Sequence, residues 1–90
     1  MAYAAVIRVK IDPDSDRKHR HSILNDFVIP QARALAGFEK GLWMNDGSGT
    51  GTCTVVFDTE EHAKAAIEPL TPAGGPPVIG TDIHEVDVQM

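Results

Sequence analysis

Four residues of this 90-residue chain carry groups suited to chemistry on a ligand: Tyr3, Trp43, His62 and His84. Tyrosine offers a phenolic hydroxyl, tryptophan a broad indole face that anchors an interface or stacks on a planar molecule. Histidine is the side chain whose ordinary pKa lies nearest neutrality, so it can accept a proton when a partner orients it. Other chemistries fail on spacing. His19 and His21 stand two apart, on different faces of any helix, so they cannot share a metal as an i, i+4 pair does. Cys53 is the only cysteine, which excludes an internal disulfide and a cysteine-held zinc and reads as a small core residue. Asp12, Asp14 and Asp16 imitate the start of a calcium loop, but Arg17 replaces the essential glycine and Ile23 the closing glutamate. No Ser-His-Asp or Cys-His signature places a nucleophile. No metal and no cofactor is expected.

The glycines of Gly47–Gly51, GSGTG, invite comparison with a phosphate-binding loop. Such a loop must open onto a helix N-terminus, whose amides face the anion. Here Thr52–Phe57 follows, a β-rich run, so the glycines belong to a hairpin turn. The formal charge of −5 argues against general nucleic-acid binding. Charge is unevenly spread: Arg8, Lys10, Arg17, Lys18 and Arg20 outnumber Asp12, Asp14 and Asp16 in the first twenty positions. Arg17, Lys18 and Arg20 thus form a local basic patch, read as a solvated helix start or as a seat for an anion.

These residues must be positioned by a short set of elements. Tyr3 to Ile11 alternates as a strand, with Tyr3, Ala5, Ile7, Val9 and Ile11 on one face. Ser15 or Asp16 can cap the helix that follows, whose stripe is Ile23, Leu24, Phe27, Val28, Gln31, Ala34 and Leu35. Pro30 lies inside that stripe and requires a kink or a break. Gly37 ends the helix. Phe38 to Asn45 and Thr52 to Asp58 are strands about the Asp46–Gly51 turn. Asp58 or Thr59 caps a second helix, with Glu61 completing a capping box for Asp58. Small Ala63 and Ala66 let that helix lie close to a sheet. Pro69 to Pro77 reads as a loop, and Val78 to Gln89 as a last strand in which Gly80 and the run TDIHE suggest a bulge or an extended arm.

The resulting order is βαββαβ, an α+β, ferredoxin-like domain spanning residues 1–90 with a four-stranded antiparallel sheet and both helices on one face. The opposite face keeps Val6, Val56 and either Leu42 or Trp43. An open apolar face on so small a domain calls for cover, and a second copy packed sheet to sheet supplies it. No apolar run approaches membrane-spanning length, and Arg8 and Lys10 interrupt any signal-peptide core, so the expected address is the cytoplasm with no membrane partner.

The chain resembles the dimeric α+β barrel superfamily, and within it the antibiotic-biosynthesis-monooxygenase-like (ABM-like) domains. The resemblance rests on the first strand, the proline before Arg33-Ala-Leu-Ala-Gly-Phe38, Gly41-Leu-Trp43, and Val55-Val-Phe-Asp-Thr-Glu-Glu61 ahead of an alanine-rich helix. It implies a homodimer with a pocket between sheet and helices in each subunit. It further implies binding of a small hydrophobic or aromatic molecule, with cofactor-independent monooxygenation as the catalytic form. Ile7, Val9, Phe27, Val55 and Phe57 would line that pocket. Haem degradation is not expected: where those members carry an asparagine and a tryptophan, this chain has Ile7 and Phe57, and no histidine lies between Glu68 and His84. Nor does a Trp-Tyr-Arg set of the phenol-oxygenating members match residue by residue. Two alternatives stay open: a non-catalytic dimeric module, and an anion-binding regulator using Arg17, Lys18 and Arg20.

Overall fold

The computed structural model describes residues 2–12, 14, 16–71 and 76–89. The strands are β1 (Tyr3–Lys10), β2 (Phe38–Asn45), β3 (Thr50–Phe57) and β4 (Val78–Glu85). Helices α1 (Arg17–Ile23) and α2 (Ile29–Arg33) flank a π-helical turn at Leu24–Val28, and α3 (Glu60–Leu70) joins β3 to β4. The four strands form one antiparallel sheet in the order β2-β3-β1-β4. The architecture is a small α+β fold compatible with a ferredoxin-like arrangement.

Alternation within the register assigns each side chain a face. On the face beneath α3, Ala5, Ile7, Cys53, Val55 and Phe57 are buried with Ala63 and Ala66 of α3. Alanine at both helix positions lets α3 approach the sheet closely. Tyr3, Val9, Leu35, Phe38, Trp43, Ile67, Leu70 and Ile83 pack around this cluster. Phe57 is its largest fully buried side chain. Phe38 meets it edge-on, the ring centroids 6.4 Å apart. Burying a phenylalanine contributes about 1.5–3 kcal/mol, and the aromatic pair about 0.5–1.5 kcal/mol more.

A register shift between Phe38 and Lys40 decides which β2 residues join that core. Unbroken alternation would put Phe38 on the face of Leu42. The extra residue instead lets Phe38, Gly41 and Trp43 share the covered side, where they pair with Phe57, Val55 and Cys53. Leu42 is therefore the residue left on the open face, not Trp43. The indole lies over Gly41, where a Cβ would come within 2.9 Å of the ring.

The helical segment 17–33 is built differently. Asp16 caps α1 by accepting from the Lys18 amide at 3.0 Å, while Ser15 lies outside the described residues. Pro30 has no N–H, and in a regular α-helix its ring would strike the carbonyl of Asp26. The chain answers with a wider turn, in which the Ile29 amide donates to the Leu24 carbonyl five residues back. Ala32 is the one buried residue of α2, and α1 buries none.

Several boundaries differ from sequence expectation, among them the start of β3 at Thr50, inside the expected Asp46–Gly51 turn. Helix α3 runs through Pro69 to Leu70, because a proline in the last turn forfeits only one bond. Thr71 ties that end down, its hydroxyl donating to the Ile67 carbonyl at 2.8 Å. Strand β4 stops at Glu85 instead of Gln89, and its expected irregularity appears as a register shift against Arg8 and Val9, opposite Gly80 and Val78. Of the Pro69–Pro77 stretch, residues 72–75 lie outside the described set.

Candidate functional site

The four chemistry-bearing residues do not converge. Tyr3 and Trp43 both face the covered side, but Tyr3 pairs with Phe57 and Trp43 with Cys53. That difference of four positions along β3 corresponds to about 13 Å. His84 pairs with Ala4 on the opposite, open face. His62 stands in the first turn of α3 and is the one of the four in a hydrogen-bonded side-chain pair that invites chemistry. Its Nδ1 lies 2.6 Å from Asp58 Oδ1, with the two side chains 40% and 48% exposed.

Local structure explains this pair. Thr59 is the N-cap, its hydroxyl accepting from the His62 amide at 3.1 Å. The capping box expected between Asp58 and Glu61 does not form: Thr59 is the cap, the Asp58 amide serves Gly37, and the third helical position belongs to His62. The imidazole turns back over the cap to the Asp58 carboxylate. Gly37, at φ 79°, closes the other side: its carbonyl accepts from the Asp58 amide at 2.9 Å. A Cβ there would overlap both Asp58 Oδ1 and His62 Nδ1, so only glycine fits on steric as well as conformational grounds. The hydrogen bond from His62 holds the Asp58 carboxyl below its ordinary value.

The five residues expected to line a pocket separate into two groups. Ile7, Val55 and Phe57 are wholly buried against the chain's own side chains, and Val9 packs beside them. Phe27 is 66% exposed and lies outside that cluster, as does Ile23 at 41%. Leu24, Val28 and Ile29 of the same region are half-buried, so Phe27 and Ile23 are the apolar side chains it leaves exposed. Two open depressions are evident elsewhere, one lined by Ile11, Arg20, Asn45, Gly47 and Gly49, the other by Thr59, Glu60, Glu61 and Lys64.

The open face has a composition of its own. Val6 pairs with Thr54 and Asp82, Thr54 with Leu42, and Thr52 with Met44. Leu42 is 59% exposed and Met44 50%, while Ala4 and Val56 are buried beside them. At the β4 edge, Arg8 extends over Gly80 to an ion pair with Asp82 at 3.0 Å. On this face β2 thus presents Leu42 and Met44 beside Lys40, while the β4 edge carries the Arg8–Asp82 pair.

The glycine-rich hairpin already holds an anion, its own Asp46. The Ser48 amide donates to that carboxylate at 2.7 Å and the Thr50 amide at 3.1 Å. These bonds lower the Asp46 pKa, those from Ser48 and then Thr50 contributing most. Burial pushes the Cys53 thiol up to about 12, so it is un-ionised and unreactive at neutral pH. Among the described residues, no group of three or more His, Cys, Asp and Glu could hold a metal. No helix among them is long and apolar enough to cross a membrane. No protein-family model matches this chain, and no curated protein matches it.

In the sequence Asp58 is a cap candidate and His62 has no evident partner, so their pairing is not legible there. The i, i+4 spacing was visible, but it straddles the start of α3 and acquires meaning only when Thr59 is the cap.

Proposed function

We propose that the chain is a binding module for a small hydrophobic or aromatic molecule, working as a ferredoxin-like homodimer closed sheet to sheet into an α+β barrel. The observation that carries the ligand reading is the exposure of Phe27 and Ile23 on a helical segment that stands off the core. A π-helical turn next to a proline supplies local freedom, and such turns recur at functional sites. The dimer reading is supported by Leu42 and Met44, both exposed on a face that no helix among the described residues covers.

A second reading is a dimeric module with a filled core and no ligand. It is favoured by the complete burial of Ile7, Val55 and Phe57, which leaves those side chains no surface to offer. Cofactor-independent oxygenation rests on the resemblance alone, since Tyr3, Trp43 and His84 lie apart. Anion regulation through Arg17, Lys18 and Arg20 draws no help from the hairpin, whose Ser48 and Thr50 amides serve Asp46.

Titration with 2-naphthol, followed by Trp43 emission, tests the ligand reading. Saturable quenching that is lost in Phe27→Ser supports it; a linear response, identical in both proteins, favours the filled-core module. Sedimentation equilibrium tests the assembly. The dimer reading expects twice the 9.7 kDa chain mass and a shift to monomer in Leu42→Asp. A monomeric parent chain at micromolar concentration overturns it.

A further inference from the structure

We propose that Asp58 and His62, clamped against Gly37, form an oriented proton-acceptor site that acts as a general base on water or a neutral hydroxyl compound. Three separate segments build it: the turn after α2, the end of β3 and the first turn of α3. An ionised carboxylate can only accept hydrogen bonds, so at 2.6 Å the imidazole must present Nδ1–H to Asp58. That fixes the tautomer. In neutral His62 the lone pair then sits on Nε2, on the ring edge away from Asp58, and the side chain is 40% exposed. The depressed pKa of Asp58 keeps its carboxylate ionised throughout the range in which a histidine is neutral.

The substrate class follows from the surroundings. Glu60 and Glu61 share the first turn with His62, and the pairing of Glu60 with Lys64 at 2.8 Å leaves that turn without excess positive charge. An anion is disfavoured there; a neutral molecule is not. His62 is the residue that touches the reacting group, and Asp58 is a positioning residue acting through it. The site is independent of the dimer and of hydrophobic-ligand binding.

Hydrolysis of 4-nitrophenyl acetate by the full chain provides the test. His62 Nε2 takes a proton from water as the water oxygen bonds to the acyl carbon. The bond from that carbon to the aryl oxygen breaks, 4-nitrophenolate and acetic acid leave, the acid gives up its proton to solvent to become acetate, and the imidazolium returns its own proton to solvent. The rate should rise with pH as one histidine becomes neutral. General-base assistance is worth about 100-fold or more in a closed site, and here a loss of about 5- to 10-fold is expected in His62→Gln. Asp58→Asn should lower the rate and alter the pH profile while the far-ultraviolet circular dichroism is retained. His19→Gln and His84→Gln should leave the rate within about 2-fold.

Equal losses in all three histidine variants, or none in His62→Gln, would overturn the assignment. Should His62→Gln fail to fold, nitrogen-15 chemical shifts of the unmodified protein decide instead. In its neutral form His62 must be protonated at Nδ1 and bare at Nε2; the reverse tautomer would refute the site.

Discussion

Helix α3 and the helical segment 17–33 both carry an apolar stripe in the sequence, yet they end in opposite conditions. Helix α3 inserts Ala63 and Ala66 into the core over Phe57, holds its start with Thr59, Asp58 and His62, and ties its end through Thr71. The earlier segment buries Ala32 and leaves Phe27 and Ile23 in solvent. The difference teaches that helical periodicity licenses docking but does not secure it. Small residues let one helix close on the sheet, while the other, interrupted by a π-turn beside Pro30, leaves Phe27 outside the core cluster.

The largest contrast should appear between the two phenylalanines. Phe57→Ala removes the principal buried ring beneath α3 and should cost about 3–5 kcal/mol in urea unfolding. Phe27→Ala, on the segment that stands off, should stay within about 0.5 kcal/mol. Equal costs would show that the stand-off segment is docked in solution and would erase the comparison.

Thr59→Ala probes the docked helix at its start. Loss of the cap should cost about 1 kcal/mol, read as a shift in the denaturation midpoint without change in slope. An unchanged midpoint would mean that the Asp58–His62 bond holds the first turn unaided.

The smallest effect is a dependence on acid. Because the folded pKa of Asp58 is depressed, its contribution to stability is fully present above the unfolded value and is lost as pH falls through the folded one. Stability curves for the parent chain and Asp58→Asn should therefore lie apart at pH 6 and converge below about pH 4, near the ordinary aspartate range. Parallel curves would sever the pair from the stability of α3. Asp46 adds acid dependence of the same sign from the hairpin.

The strands and the hairpin were legible because alternation and turn residues act locally: Ala5, Ile7, Val55 and Phe57 lie where period-two patterning puts them. The choice between Leu42 and Trp43 was not. It depends on an extra residue between Phe38 and Lys40, which shows only in the pairing of β2 with β3 across the hairpin and not in the pattern of β2 itself. Pro30 announced a disruption but not its form, since a kink, a break and a π-turn all relieve the same clash. The Asp58–His62 pair was hidden for a related reason: which residue caps α3 decides which side chain turns back, and Asp58 and Thr59 are both good caps.

The seating of Trp43 over Gly41 has a consequence for watching this protein at work. The chain contains one tryptophan, so its near-ultraviolet emission comes from a single address on the covered side of the sheet. Gly41 leaves the indole room to lie flat, and any larger residue would lift it. The spectrum is thus a built-in gauge of how closely the sheet and what covers it are pressed together, available without label or substitution.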